Sequence, residues 1–483
     1  MPKLYLLFIV GYFGLLFGTV FLDLMWGIYL SIAIYFISPW TKWWGALLPE
    51  IRWIMILGVA NIVAWAFRTK RYAATRIRDS RQLQYLIAFN VLMVLVGFIS
   101  VWPERHWELT DKQVKVLIFL LLAYKAIDTP KKFEGLLWTF LGGVFYVAWI
   151  AYDTGRTGNG RLEGVGTIDS TDSNDIGAIF STAVPLLFFY LLEAKRWWGK
   201  AIALVCLVFI MNGLILVNSR GAIIGTLAGT GIFVSAILFT RIKSNSFKGK
   251  VLAGVLVCFA LFIYLADATF WARQGSVVAG PDQVASSDYN RLTIWKYALL
   301  LAVDRPLGVG GMGYTILSPT FLPPEVMGDS PLKAIHSTYL EALTAFGWIG
   351  AFLFLAIIVS SYRGIIGVQR ELKVTDRSYE RLQGFALIGG FTAFMVCAIF
   401  INRLYCEVLY YFPVFFAIFK NLYGSKQPVA AVAGRWRGAR PPQIAAGAVS
   451  PAPAPATAPQ RLSRSSTTLR KKSPVLKDRA GGP

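Results

Sequence analysis

The chain alternates between long apolar runs and short polar breaks. Apolar stretches recur at about residues 4–20, 24–38, 51–67, 83–101, 113–127, 135–152, 175–193, 201–217, 221–240, 251–267, 347–362, 384–401 and 405–420. Runs near 18 to 20 residues are long enough, as helices, to cross a hydrocarbon core of about 30 Å. The first two runs are crowded, so the pattern predicts 12 or 13 spans. The fold class expected is an all-α polytopic membrane protein. The apolar run at the N-terminus lacks a small-x-small cleavage pattern and reads as a first span, not a removed leader.

Two breaks are long. One covers residues 153–174 and the other about 268–337. Long connections with ordered content tend to be functional. In the second, "NRLTIWKYALLLAVDRP" places Leu292, Trp295, Leu299 and Ala302 at helical spacing behind Asn290 as a cap, with Pro306 after the end. This predicts an amphipathic helix along the membrane surface.

Composition supports the pattern. The chain is 56% hydrophobic and 15% charged, against about 25% charged in soluble domains. Of its net charge of +22, the segment 424–483 supplies +10. The rest lies mostly in short loops. "RTKRYAATRIRDSRQ" (68–82) has six Lys/Arg and one Asp, whereas 153–175 has five acids and two arginines. By the positive-inside rule, the basic loops are cytoplasmic and the two long breaks face outward. The charge therefore gives no reason to invoke nucleic acid. The predicted organisation is a membrane domain over 1–423 and a basic cytoplasmic tail over 424–483. Its "PAPAPATAP" and Ser/Arg/Lys stretches cannot bury a core. The four cysteines form no CxxC and read as small packing residues.

The polar residues near helix ends carry the candidate chemistry. Arg220 in "NSRGAIIG" follows Asn218 or Ser219 as a cap. It thus lies in a first helical turn, where a cation opposes the helix dipole. An arginine beside free N–H groups suits a bound anion; the alternative is an arginine reaching lipid headgroups. Arg291 in "DYNRLTIW" reads the same way, or as an ion pair with Asp288. His336 is one of only two histidines. It stands just before "TYLE", read as a capping box with Thr338 as cap and Glu341 three residues on. Outside the helix, its ring is free to exchange a proton near neutral pH. The other histidine, His106, reads as interfacial. Arg156 and Arg161 lie in a glycine-rich loop that either closes on a ligand or is simply solvated. Arg403 and Glu407 are four apart and predict a local ion pair. "GVGGMG" (308–313) has no strand before it, so it marks a tight turn and not a dinucleotide site.

Taken together, "NSRGAIIG" (218–225), "RLTIWKYALLLAVDRPLGVGGMGY" (291–314) and "HSTYLEALTAFGWIG" (336–350) resemble the signatures of the O-antigen ligase/polymerase family. His336 and Gly347 satisfy its H-x10-G pattern, and "RLEGVGTIDSTDSNDIGA" (161–178) is similar to its Arg–Gly–Asn loop. "YFISPW" (35–40) resembles the O-glycosylation-ligase branch. The resemblance spans about 4–420. It implies a glycosyltransferase of the bacterial inner membrane, with its active site facing the periplasm. Its donor would be a glycan on undecaprenyl diphosphate, and its acceptor a lipid A-core, a protein or another glycan. In that scheme Arg220 and Arg291 bind the diphosphate and His336 is the catalytic base. Arg161 and Arg403 would touch donor or glycan, with no cofactor or metal required. The alternative within the family is a polymerase of lipid-linked repeat units. A lipid-linked glycan transporter is a third reading, and the absence of internal repeats speaks against it.

Overall fold

The computed structural model describes residues 3–42, 44–73, 75–157, 160–275 and 286–424, with Leu261 and residues 286–290 described by backbone alone. All of these residues fall in one compact unit, Met1–Val432. The expected tail, 424–483, lies outside the described residues apart from Gly424.

Each of the thirteen predicted apolar segments coincides with a helix. They are α1 (Lys3–Phe21), α2 (Met25–Ile37), α3 (Trp53–Ala66), α4 (Arg81–Val96), α5 (Pro103–Ala126), α6 (Pro130–Thr154), α7 (Ser173–Glu193), α8 (Trp197–Val217), α9 (Arg220–Phe239) and α10 (Asn245–Leu265), then, past the long break, α15 (Thr338–Val374), α16 (Ser378–Cys397) and α17 (Glu407–Tyr423). The break itself holds four shorter helices, α11 (Ala268–Gly275), α12 (Ser286–Asp304), α13 (Gly313–Phe321) and α14 (Pro324–Met327). Among the described residues there is no strand, and eight helices are long and apolar enough to cross a membrane. The protein is an all-α polytopic membrane protein.

The interior is organised around α7 and α17. Residues 408–419 of α17 are buried without a gap, and an 18-residue stretch of α7 is 83% buried. A helix apolar on every side is one enclosed by others. Next to them α9 and α16 approach backbone to backbone: a Cβ on Gly229 would stand 2.3 Å from the Gly389 carbonyl oxygen. Lacking a hydrophobic drive between helices in lipid, such small-residue contacts give close packing.

The decisive local feature is a break in α15. Gly347 has φ 64° and ψ −166°, so residues 338–346 form a half-helix distinct from the rest. The glycine turn "GVGGMG" explains the break. Val309 N donates to Thr344 O and Gly310 N to Ala345 O, both at 2.9 Å, and Trp348 N donates to Pro306 O at 3.1 Å. The turn thereby satisfies terminal carbonyls of the first half and an opening N–H of the second. The turn is itself held by His106, whose Nδ1 accepts from Gly311 N at 2.8 Å and whose Nε2 meets Met93 O at 2.9 Å. His106 is therefore a buried structural residue, not the interfacial one expected; its apparent polarity in sequence is spent on backbone from two other segments.

A Cβ on Gly347 would lie 2.1 Å from the Pro306 oxygen, in a left-handed conformation. Gly347→Ala should therefore lower stability by about 3 kcal/mol, summing backbone strain and overpacking. A fall in the melting temperature of the detergent-solubilised chain checks this; an unchanged value would contradict the tight approach.

Candidate functional site

Of the expected helix caps, Ser219 before Arg220 holds, whereas Asn290 and Thr338 do not. Asn218 is the left-handed C-cap of α8 (φ 50°), and Ser219 takes the N-cap position of α9. Arg220 remains the first residue of α9, as expected. Arg291 does not open its helix: α12 begins at Ser286, so Asn290 is helical and no cap. The side chain of Asp288 lies outside the described residues. Of the expected apolar positions on α12, Ala302 is buried and Trp295 half-buried, Leu292 and Leu299 are exposed at 66% and 49%, and Ile294 and Ala298 complete the buried side.

The capping box is overturned as well. Ser337 is the N-cap of α15 and Thr338 its first residue. Thr338 Oγ1 is taken up elsewhere, donating to Ile401 O at 2.8 Å and accepting from Arg403 N at 2.9 Å. Glu341 is 0% exposed. Its carboxylate lies against the Met312 N–H and the Asn402 side chain without a well-formed hydrogen bond to either.

What these contacts achieve is the placement of His336. The residue has φ 50°, a sparsely populated conformation for a side chain of this type. Surroundings over-determine it. On one side Ile335 is buried and its carbonyl accepts from Trp295 Nε1 at 3.1 Å, one turn along α12 from Arg291. On the other, Thr338 is anchored to residues 401–403. As a residue His336 keeps solvent access, although its ring is crowded by protein. Protein crowding, then Arg291 and Lys333, push its pKa below the usual histidine value, while Asp172 pulls the other way.

Arg161 joins the same neighbourhood. Its Nε donates to Val217 O at 3.2 Å, three residues before Arg220, and its Nη2 to Asn174 Oδ1 at 2.9 Å. Burial and the positive charge of Arg291 disfavour its ionised form, and Asp172 and Glu163 favour it. Arg291 thus bears on both His336 and Arg161, and Asp172 on the same two. Arg220 stands at the α8–α9 corner, its Nη2 donating to Arg273 O at 3.1 Å. The loop of 160–172 is built into the fold: Leu162 is buried and its N–H donates to Leu216 O at 3.0 Å. Arg156 is engaged by the fold itself, pairing with Asp267 at 2.9 Å and donating to Ile215 O at 3.1 Å.

Arg403 does not pair with Glu407. It is 6% exposed and its Nη1 reaches Asp175 at 3.1 Å, while Glu407 accepts from Tyr411 OH at 2.8 Å. The reason is that α17 starts at Glu407, so Arg403 lies off the helix and the i,i+4 geometry does not exist. Nε and Nη2 of Arg403 are buried without a protein partner among the described residues. Through Asp175, adjacent to Asn174, and through Thr338, Arg403 connects the Arg161 loop to the His336 segment. Sequence reasoning missed Asp172, Trp295 and His106 as members of this assembly. Asp172 gave a signal, as a cap before α7, but it was one of five acids in its loop.

The four cysteines are free; Cys206, Cys397 and Cys406 are buried and Cys258 half-buried. Among the described residues no group of three or more His, Cys, Asp or Glu is arranged to hold a metal ion.

The site thus belongs to a multi-pass helical membrane protein, with Arg161 and Arg291 in the electrostatic surroundings of His336 or of each other and Arg220 at the α8–α9 corner. Residues 205–355 match the family model described as O-antigen ligase, and this supports an O-antigen ligase family for the chain. The match includes Arg220, Arg291, His336 and Gly347; Arg161 and Arg403 lie outside it. It supports glycan transfer of the ligase or polymerase kind, on lipid-linked glycan substrates, by a protein of the lipid bilayer. No curated protein matches the chain.

Proposed function

We propose that this protein transfers a glycan from an undecaprenyl-diphosphate carrier to an acceptor at the periplasmic face of the bacterial inner membrane. The observation that carries the reading is the match of residues 205–355, which contain Arg220, Arg291 and His336, to the O-antigen ligase family model, together with the bond from Trp295, one turn from Arg291, to the Ile335 carbonyl beside His336. A diphosphate leaving group bears roughly two negative charges, which planar guanidiniums meet with paired charge-assisted hydrogen bonds. Arg291 and Arg220 take this role, and the N-terminus of α9 adds oriented N–H groups beside Arg220. His336, whose pKa is lowered by burial and then by Arg291 and Lys333, accepts the proton of the acceptor hydroxyl as that oxygen attacks the anomeric carbon. The bond to the diphosphate oxygen breaks as the new glycosidic bond forms, and the departing charge stays with the arginines. Arg161 contacts donor or glycan, and Arg403, buried on Asp175, holds the Arg161 loop against the His336 segment. The acceptor, whether lipid A-core, protein or glycan, is left open by these residues.

A ligase and a polymerase share this chemistry and differ in acceptor. The ligase reading expects a deletion strain to accumulate long glycan chains stranded on the carrier. Single repeat units in the carrier fraction would instead establish the polymerase. Accumulation of substrate on the cytoplasmic leaflet would point to transport.

A further inference from the structure

A cavity of about 1160 Å³ opens beside α1, and neither the candidate arginines nor His336 line it. One wall is α1, through Leu4, Leu7, Gly11 and Leu15, and the facing wall includes Trp149 and Ile150 of α6. From Lys3 to Leu15 the helix rises about 18 Å. That is close to one leaflet of a hydrocarbon core of about 30 Å. Below this level the groove ends, because α1 and α2 meet where a Cβ on Gly18 would stand 3.1 Å from Trp26. The open end lies at the level of the candidate site. There Gly164 and Val165, from the loop that carries Arg161, complete the wall. The charged lining residues lie at this rim: Lys3, Lys42 and Asp153, beside Thr41 and Thr154.

From the depth, the walls and the rim charge we infer that the groove is a binding site for an anionic phospholipid of the leaflet on the site's side, a phosphatidylglycerol-like molecule. Its acyl chains lie along α1 and its phosphate meets Lys42 and Lys3. Depth favours this occupant over the much longer carrier isoprenoid, since the groove stops after about one leaflet. Charge favours an anionic head. The Lys42 ammonium is held 5.8 Å from the Tyr146 ring centroid. Its surroundings also disfavour the charged form by desolvation, which a phosphate would offset. Bound there, the lipid props the loop that positions Arg161.

The test uses the full chain in nanodiscs of mixed phosphatidylglycerol and phosphatidylcholine, followed by native mass spectrometry of the released protein. Wild type should retain one phosphatidylglycerol in preference to phosphatidylcholine. Lys42→Gln should weaken that preference about fivefold, the worth of one lysine near an anionic headgroup. Gly11→Trp should abolish retention, and since a Cβ there meets nothing within 4 Å, its melting temperature in lipid-free detergent should match wild type. Equal retention by Gly11→Trp, no headgroup preference, or retention of a polyprenyl phosphate in place of phospholipid when both are supplied would each overturn the inference. Glycan transfer is not part of this readout, so its outcome and that of the proposed activity are independent.

Discussion

His336→Ala is expected to lower glycan transfer by about 10²- to 10⁴-fold, the range for loss of a positioned general base, while the chain remains folded in the membrane. The expectation of intact folding follows from the contacts. His336 is exposed, and the bonds that fix its segment are made by the Ile335 carbonyl and by Thr338, not by its ring. The pH dependence gives a second signature. Crowding, Arg291 and Lys333 lower the His336 pKa, so the neutral, proton-accepting form persists below the ordinary value of about 6.5. The rate should be flat above neutrality and fall only as the pH drops below that value. Replacing Arg291 by Gln removes a positive neighbour, raises the His336 pKa, and should move the acid limb of kcat/KM to higher pH. A limb that does not move would separate Arg291 from His336.

Arg220→Ala and Arg291→Ala should each cost about 10²- to 10³-fold in transfer, comparable to removing one preorganised donor from a developing anion. Lysine at either position keeps the charge but loses the paired geometry, and should restore only part of the rate. The two losses should be less than additive if both arginines hold the same diphosphate, because residues sharing a partner couple. Purely additive losses, or a loss at neither position, would mean that the anion binds elsewhere. These effects should appear in transfer and in binding of the released polyprenyl diphosphate, with insertion unchanged.

Much of this was legible in the chain itself, for identifiable reasons. Apolar runs of membrane length leave helices as the solution in which the backbone satisfies itself, and all thirteen runs coincide with helices. Arg220 was legible because a cation in a first turn violates the dipole preference. Gly347 was legible as the glycine of the H-x10-G pattern, although the left-handed break and the turn that caps it depend on Pro306–Gly310, some forty residues earlier. The local rules failed where a distant partner outbid a near one. Thr338 caps nothing because Ile401 and Arg403 claim its hydroxyl. Arg403 ignores Glu407 because Asp175 lies across the bundle. His106 looked like a surface residue because its backbone partners, Met93 and Gly311, leave no mark in the neighbouring sequence. Arg291 was misplaced on its helix because α12 starts a turn earlier than Asn290 suggested.

The central claim is that Arg220, Arg291 and His336 act together on one lipid-linked donor. It is tested most directly by transfer from purified undecaprenyl-diphosphate glycan to an acceptor glycolipid by the reconstituted chain in EDTA, for wild type beside Arg220→Ala and His336→Ala. The account predicts transfer by wild type and losses of at least about 10²-fold in both variants. Wild-type rates in both variants would contradict it.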